Sequence, residues 1–219
     1  MNGRFIRPME LRDVIQVSQI EREAFPPPWP STNFSRELTF GSLNNYIVCG
    51  EDLPAAESIV HPFEDNDCDG QSPGTQFGWL KAGFKRLFGG EAVDVPQRQF
   101  ILGFIGFWFA ADETHIASIA VRQSHWRRGI GEQLLIEAIR CAMERDAWLV
   151  TLEVRVSNVA AQTLYRKYGF IDVGIRKNYY MDTREDALLM TVDGITSASY
   201  IDSFQRLRRD FTRRWGVKV

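Results

Sequence analysis

A chain of 219 residues is long enough to bury a sizeable core and suits a single domain. Its hydrophobic content of 44% and charged content of 25% are ordinary for a globular protein, and a formal net charge of −2 does not suggest nucleic-acid binding. No apolar run approaches the roughly 20 residues of a membrane-spanning helix, and the N-terminus lacks the apolar core of a signal peptide. The three scattered cysteines, Cys49, Cys68 and Cys141, are typical of a reducing compartment. We therefore expect a cytoplasmic protein.

The first 50 residues alternate short strands with helices. Residues 5–7 and 46–50 are apolar segments that predict strands. Between them, residues 11–24 carry apolar side chains mostly on one side of a helix. The prolines that follow Phe25 cannot continue this helix, so we expect it to end there. Residues 33–38 then predict a second, short helix.

Residues 52–98 read as an insertion between two strands. Its first half is acidic and rich in turn residues, so it has little apolar surface to bury. Its second half, residues 77–88, places apolar side chains at helical spacing beside basic ones. Gly78 and Gly83 lower the helical propensity of this stretch. We expect the insertion to be partly flexible.

The rest of the chain predicts most of a sheet. A hairpin is expected from residues 99–110 and 116–121 around a turn at 111–114, with further strands at 148–155, 170–175 and 187–192. Helices are expected from Gly129 to about Glu144, over 158–168, and in the tail over 199–215. Mostly antiparallel strands with a few helices indicate the α+β class. The strands at 116–121 and 148–155 flank one helix and should run parallel.

The glycine turn, residues 126–131 (Trp-Arg-Arg-Gly-Ile-Gly), joins a predicted strand to the helix that follows. Free N–H groups at a helix start favour anions, and a glycine lets an anion come close to the main chain. Arg127 and Arg128 add charge-assisted donors. The pattern favours a binding site for a diphosphate, although a tight turn with solvated arginines would have the same sequence. It lacks the Gly-Lys-Ser/Thr of a P-loop and the third glycine of a dinucleotide-binding turn.

Four later motifs carry a resemblance to a known family. They are Leu152-Glu153-Val154-Arg155, then Asn158, then Leu164-Tyr165, and then Gly169-Phe170. In this order and after the glycine turn, they resemble the acetyl-CoA-binding core of the GCN5-related N-acetyltransferases (GNAT). The segments 176–180 and 184–187 resemble the branch of the family that acetylates the N-terminal alanine of bacterial ribosomal proteins. The resemblance runs from about Ile116 to Val192, is weaker over residues 1–51, and is absent from 52–98 and 194–219.

The resemblance implies a GNAT fold, in which a mixed and mostly antiparallel sheet is flanked by helices. It implies acetyl-CoA as the acetyl donor, with the pantetheine arm paired to the backbone of Ile119, Ala120 and Val121 and hydrogen-bonded by Asn158. On the residues alone, Asn158 is an N-cap of its helix. The resemblance also places the diphosphate against main-chain groups of residues 127–132, which are Arg127, Arg128, Gly129, Ile130, Gly131 and Glu132. At the position of Trp126 the family most often has Gln or Arg. A diphosphate that is bound by main-chain groups does not need the side chain at this position.

Acetyl transfer to an amine needs a base for the amine proton and is helped by an acid at the thiol leaving group. Strand periodicity alone favours a solvated pair of Glu153 with Arg155, because surface carboxylates are common. Helical spacing alone favours a core aromatic side chain for Tyr165. The resemblance reverses both interpretations. It implies that Glu153 accepts the proton and Tyr165 donates one, in a direct attack without a covalent enzyme intermediate.

By the same resemblance, Tyr179 and Tyr180 lie near the acceptor groove. We therefore expect a protein N-terminus as the acceptor, in the first place that of a ribosomal protein. Two alternatives stay open, a small-molecule amine acetyltransferase of the same fold and a noncatalytic acyl-CoA sensor or membrane-docking module. The presence of both Glu153 and Tyr165 argues against the sensor, which needs neither.

The three histidines are His61, His115 and His125, and they are far apart in the sequence. No His-x-x-x-His pair or carboxylate partner pattern around them suggests a metal site. We therefore expect surface or loop histidines and no metal.

The predicted organisation is an acetyltransferase domain over residues 1–193, interrupted by 52–98, and a basic amphipathic helix in 194–219. Residues 77–88 and 199–215 each combine an apolar stripe with basic side chains, which suits a ribosome or an anionic membrane surface. The alternative is that each stripe packs onto the protein's own core. We favour this alternative for the tail and surface contact for 77–88, and we do not expect DNA as a partner.

Overall fold

A mixed sheet of seven strands spans the part of the chain that the computed structural model describes, which is residues 3–25, 31–40, 44–53, 99–217 and 219. The strands are β1 (Arg4–Pro8), β2 (Asn44–Asp52), β3 (Gln99–Ala110), β4 (Glu113–Val121), β5 (Leu149–Arg155), β6 (Ile171–Tyr180) and β7 (Glu185–Val192). They lie in the order β1-β2-β3-β4-β5-β7-β6. The pair β4–β5 is parallel, and the other neighbouring pairs of this sheet are antiparallel. Both the α+β class and the predicted parallel pair are confirmed.

Five α-helices flank this sheet within the described residues. They are α1 (Val14–Ala24), α2 (Phe34–Phe40), α3 (Ile130–Glu144), α4 (Val159–Lys167) and α5 (Ala198–Trp215). The helix predicted over 11–24 begins as a short 3-10 turn, Leu11–Asp13, before α1. The Asp13 carboxylate holds this start, because it accepts hydrogen bonds from the Glu10 backbone N–H at 2.8 Å and from Arg7 Nη1 at 2.7 Å.

The sheet carries an apolar core on each of its sides. In β3, Leu102 and Ile105 belong to the larger core, whereas Ile101 and Phe104 belong to the smaller one. The larger core is filled by the buried face of α3, and the smaller one by α1 and α2. Apolar residues of α3 recur at helical spacing and point to the sheet, as the sequence predicts.

The β6–β7 hairpin extends beyond the strands predicted at 170–175 and 187–192. Its extension runs through Arg176, Lys177 and Asn178, whose polar side chains interrupt any apolar pattern. Strand β6 forms the edge of the sheet and is exposed along its length except at Tyr180. Two irregularities break its register with β7. Prediction from alternating apolar residues relies on a buried face, which this edge strand lacks.

The tail helix α5 packs its apolar stripe onto the domain, which is the alternative that the sequence favours for it. Phe204 and Phe211 are buried in the larger core. The Tyr200 hydroxyl donates a hydrogen bond to the backbone carbonyl of Tyr168 at 2.9 Å. Contact of the remaining basic face with a ribosome or a membrane surface stays a prediction. None of the helices in the described residues is long and apolar enough to cross a membrane.

The predicted insertion lies outside the described residues apart from Asp52 and Leu53, so the surface contact expected for 77–88 also stays a prediction. The two residues that flank it are neighbours in the sheet. Asp52 lies opposite Gln99 in the β2–β3 ladder, and Gln99 Nε2 donates a hydrogen bond to Asp52 Oδ1 at 3.0 Å. The chain therefore leaves the sheet after Asp52 and re-enters it at Gln99, directly opposite.

Candidate active site

A cleft opens in the sheet where β4 and β5 diverge. Their parallel pairing covers Glu113–Ile116 of β4 and Leu149–Leu152 of β5. Beyond these residues β4 continues beside β3, and β5 continues beside β7. Within the described chain, this part of β4 therefore has no strand partner on the side of β5, and its backbone groups there can pair with a ligand. This part of β4 contains the predicted pantetheine-binding residues Ile119, Ala120 and Val121, of which Val121 already accepts a hydrogen bond at its carbonyl from Trp126 Nε1 at 2.8 Å.

Glu153 is the first residue of β5 beyond the paired segment. Its side chain is only 5% exposed, and its two carboxylate oxygens lie 3.1 Å from His115 Nε2 and 3.0 Å from Arg176 Nη2. Burial by itself would raise the pKa of Glu153, but the hydrogen bond and charge of His115 and the charge of Arg176 outweigh it and lower that pKa below 4.5. Glu153 is thus an ionised carboxylate at neutral pH, held at the point where the strands part.

His115 lies in β4 between Glu153 and Trp108. Its ring stacks on the Trp108 ring, with 5.0 Å between centroids and 23° between planes. The expectation of a surface or loop histidine is therefore wrong for His115, because the parallel pairing of β4 with β5 gives it a carboxylate partner from a distant part of the sequence. The expectation is confirmed for His125, which lies in a 3-10 turn with Nδ1 2.8 Å from Ser124 Oγ. His61 lies outside the described residues.

The solvated pair of Glu153 with Arg155, which strand periodicity favours, does not form. Arg155 instead binds Asp182 at 2.7 Å and Glu185 at 3.3 Å. Its guanidinium lies 4.0 Å from the centroid of the Tyr180 ring. Arg155 therefore ties β5 to the β6–β7 hairpin.

This hairpin brings the predicted acceptor-side tyrosines to the predicted base. The Tyr180 hydroxyl donates a hydrogen bond to the backbone carbonyl of Glu153 at 3.4 Å. The Tyr179 ring meets the Tyr180 ring edge-on at 5.2 Å between centroids, and the Arg176 guanidinium lies 5.7 Å from the centroid of Tyr179. Tyr180 is buried and Tyr179 is exposed, and the acceptor-side role of both stays a prediction.

Tyr165, the predicted proton donor, is buried in α4 with its ring centroid 5.8 Å from that of Phe170. Burial first, and the nearby Tyr180 to a smaller extent, raise the pKa of Tyr165. The phenol therefore keeps its proton at neutral pH, as a donor must. This position suits a core aromatic side chain as well, so the donor role stays a prediction.

The glycine turn ends at the start of α3, where no side chain of the described residues caps the first backbone N–H groups. Gly129 is the N-cap, has a φ of +77° and has no side chain to cap the first turn. The first N–H groups of α3 are consequently without partners inside the helix. Arg127 has a φ of +61°, which is strained for a residue with a Cβ. The Trp126 indole anchors the turn by donating a hydrogen bond to the Val121 carbonyl at 2.8 Å.

The two glycines of this turn face different surroundings. A Cβ at Gly131 would meet only Val121 Cγ2, at 3.8 Å, so a phosphate has room to approach the main chain. A Cβ at Gly129 would lie 2.6 Å from the ring of Trp215 in α5. The lack of a side chain at Gly129 therefore makes room for the tail helix. Sequence reasoning missed this contact, because no local signal connects the end of α5 to the glycine turn.

Two further predicted cofactor residues have defined roles in the fold. Asn158 Oδ1 accepts a hydrogen bond from the backbone N–H of Ala161 at 3.1 Å, which confirms the predicted N-cap of α4. The Glu132 carboxylate accepts a hydrogen bond from the Tyr168 hydroxyl at 2.8 Å and pairs with Lys167. Lys167 thus offsets the negative charge of Glu132 beside a turn that suits anions. The described residues contain no group of three or more His, Cys, Asp or Glu side chains that could hold a metal ion.

Comparison with known proteins agrees with this geometry. A family model described as the Acetyltransferase (GNAT) family matches residues 51–170, a segment that includes the glycine turn, Glu153 and Tyr165. A Bacillus subtilis (strain 168) protein, provisionally named a ribosomal protein bS18-alanine N-acetyltransferase, is 31% identical over 187 residues, covering 85% of this chain and 93% of that protein. An N-alpha-acetyltransferase of Sulfurisphaera tokodaii is 47% identical over 186 residues, covering 84% of this chain and 90% of that protein.

Solved structures share the fold. The crystal structure of the ribosomal-protein-S18-alanine N-acetyltransferase from Escherichia coli superimposes with a TM-score of 0.58 at 25% identity. The superposition covers 87% of this chain and 94% of the Escherichia coli chain. The mixed seven-stranded sheet flanked by helices is therefore a known architecture, the GNAT fold.

Proposed function

From the membership of this chain in the GNAT acetyltransferase family, as an acetyl-CoA-dependent N-acetyltransferase, we propose its acceptor. The proposed acceptor is the α-amino group of a protein N-terminus. The observation that carries the proposal is the contact of the β6–β7 hairpin with the base. The Tyr180 hydroxyl lies 3.4 Å from the Glu153 carbonyl, and Arg176 of the same hairpin lies 3.0 Å from the Glu153 carboxylate. A peptide end held by this hairpin would present its amine beside Glu153.

The α-amine suits this site because of its acidity. An α-ammonium has a pKa near ~7.8, whereas a lysine ammonium has one near ~10.4. Near neutral pH, roughly 400 times more of an α-amine than of a lysine amine is already neutral. A site that takes one proton per turnover through a carboxylate therefore favours the α-amine.

Glu153 is the proposed acceptor of the amine proton. As the nitrogen attacks a carbonyl it gains positive character, so its own pKa falls and an ionised carboxylate becomes a competent base. His115 is the proposed positioning residue, because its ring is fixed by Trp108 and its Nε2 lies 3.1 Å from the carboxylate. His115 on one oxygen and Arg176 on the other hold the carboxylate in one orientation.

Bound acetyl-CoA would supply a thioester carbonyl at the cleft. The free N–H groups of the glycine turn and the open space at Gly131 fit its diphosphate, and the cleft side of β4 and the amide of Asn158 fit its pantetheine arm. In the proposed reaction the amine nitrogen forms a bond to the acetyl carbon and the carbon–sulfur bond breaks. Tyr165 gives its proton to the departing sulfur, and Glu153 takes the proton that the amine loses.

For the acceptor sequence we propose an N-terminal alanine of a ribosomal protein. The support is the naming of relatives that align with most of this chain as ribosomal-protein-alanine N-acetyltransferases. A peptide with a free N-terminal alanine should be acetylated on its α-amine. The same peptide with a blocked N-terminus and an internal lysine should not react.

Mass spectrometry of the two peptides tests the proposal, with spermidine as a competing amine and Glu153→Gln as the inactive control. Preference for the lysine side chain or for spermidine would contradict it and favour a small-molecule acetyltransferase. In cells, the N-termini of ribosomal proteins should include one that loses its acetyl group when the gene is deleted. An unchanged set of N-termini would exclude a ribosomal acceptor.

A further inference from the structure

The end of the tail helix α5 lies directly against the glycine turn. The ring of Trp215 is so close to Gly129 that a Cβ there would be 2.6 Å from Cε2 and 2.7 Å from Nε1 of the indole. The indole Nε1 is buried at this contact and has no hydrogen-bond partner within the described residues. An unpaired buried donor costs stability, and here it stands beside a turn that is built from donors for an anion.

A cation lies over the same indole ring. The Arg214 guanidinium lies 5.2 Å from the centroid of the Trp215 ring, in the range of a cation–π contact. Arg214 is exposed and forms no ion pair within the described chain, whereas its neighbour Arg213 is paired with Asp210 at 2.9 Å. Of the two arginines in the last turn of α5, Arg214 is therefore the one without an ion pair in the described residues, and it is stacked on the ring that touches the glycine turn.

We propose that the end of α5 is a subsite for the nucleotide end of acetyl-CoA, in which Arg214 binds the 3′-phosphate. The inference rests on the proposed role of the glycine turn as the diphosphate site. In coenzyme A the diphosphate and the 3′-phosphate are attached to the same ribose, so a group that binds the second must stand beside the site of the first. Arg214 meets that condition, and its planar guanidinium matches a phosphate group. Trp215 holds Arg214 there and supports Gly129.

Calorimetry with two ligands tests the subsite without measuring activity. The ligands are coenzyme A and 3′-dephospho-coenzyme A, and the variant is Arg214→Gln in the full chain. An exposed charge pair is worth a small, salt-screened gain, so we expect Arg214→Gln to weaken coenzyme A binding about three- to fivefold at low salt. Binding of 3′-dephospho-coenzyme A should be unchanged. Arg209→Gln, an exposed arginine of the same helix, is the matched control and should leave both affinities unchanged.

The outcomes separate this inference from the proposed function. Equal weakening of both ligands, or of neither, in Arg214→Gln would overturn the subsite. Failure of both ligands to bind the unaltered protein would instead overturn the cofactor site itself. A second variant, Trp215→Phe, keeps an aromatic ring at Gly129 with less surface for Arg214. It should reduce the preference for coenzyme A over its 3′-dephospho form, and an unchanged preference would contradict the role of Trp215.

Discussion

Replacing His115 by Phe would keep an aromatic ring over Trp108 and remove the nitrogen that lies 3.1 Å from Glu153. A hydrogen bond to a charged group is worth about 1.5–3 kcal/mol, and about 1.36 kcal/mol corresponds to a tenfold change in rate. If the transition state needs the carboxylate in its present orientation, His115→Phe should lower kcat/KM about 10- to 150-fold. Glu153→Gln removes the base itself and should cost about 10²–10⁴-fold.

The effects of the two substitutions on kcat/KM should not be additive, because His115 acts through Glu153. In a double-mutant cycle, the variant with both changes should be within a fewfold of Glu153→Gln alone. The assay is release of free thiol with a peptide that has an N-terminal alanine, measured from neutral to alkaline pH. Raising the pH should recover part of each loss, since the amine then loses its proton without help. Glu144→Gln, at an exposed carboxylate of α3, is the control.

Three results would refute this reasoning. Wild-type turnover in His115→Phe would show that the hydrogen bond to Glu153 plays no part in catalysis. A double variant whose loss is the full product of the single losses would show that the two residues act independently. Wild-type turnover of Glu153→Gln at neutral pH would remove Glu153 from the mechanism.

Four further results are expected. Gly131→Val should weaken coenzyme A binding about tenfold or more in calorimetry, and Gly131→Ala less, because the open space there grows smaller with each added methyl group. Tyr165→Phe should lower kcat. An acetyl donor whose leaving thiol is more acidic should reduce that loss, since such a thiolate can leave without being protonated by an acid. Phe211→Ala should destabilise the fold by about 3–5 kcal/mol in urea unfolding, because it empties a buried site under α5. The folded-state pKa of Glu153 lies below 4.5, so its charged form adds stability above about pH 4.5 that is lost as the pH falls through the lower value. Glu153→Gln should therefore show a shallower acid loss of unfolding free energy between about pH 6 and pH 3.

The elements that the sequence predicts well are those defined by a pattern of residues close together in the chain. Helix α3 shows apolar residues at helical spacing after a glycine turn, and its observed bounds agree with the prediction. The N-cap at Asn158 is equally local, since one side chain and a backbone group three residues later define it. The extension of β6 has no such signal, because its pairing with β7 involves an exposed edge of polar residues.

The parts of the site that sequence reasoning missed are long-range contacts. His115 and Glu153 meet only because β4 and β5 are adjacent and parallel, and a periodic pattern within either strand does not contain that information. The sequence correctly predicts that Trp215 belongs to the apolar stripe of α5, but it does not predict that this stripe ends in contact with Gly129. Local pattern identifies which face of an element is buried, whereas the partner of that face depends on the arrangement of the whole sheet.

The pairing of Asp52 with Gln99 has a consequence for the segment between them. The entropic cost of closing a loop grows only with the logarithm of its length, about 0.6 kcal/mol for each doubling. Since the β2–β3 ladder already holds both ends together, the sheet can accept a connection of almost any length at this point with little loss of stability. It also follows that a two-residue Asn-Gly turn in place of residues 53–98 would suit the ladder, because such turns match the twist of antiparallel strands. The β2–β3 ladder itself therefore sets no tight limit on the length of the connection between Asp52 and Gln99.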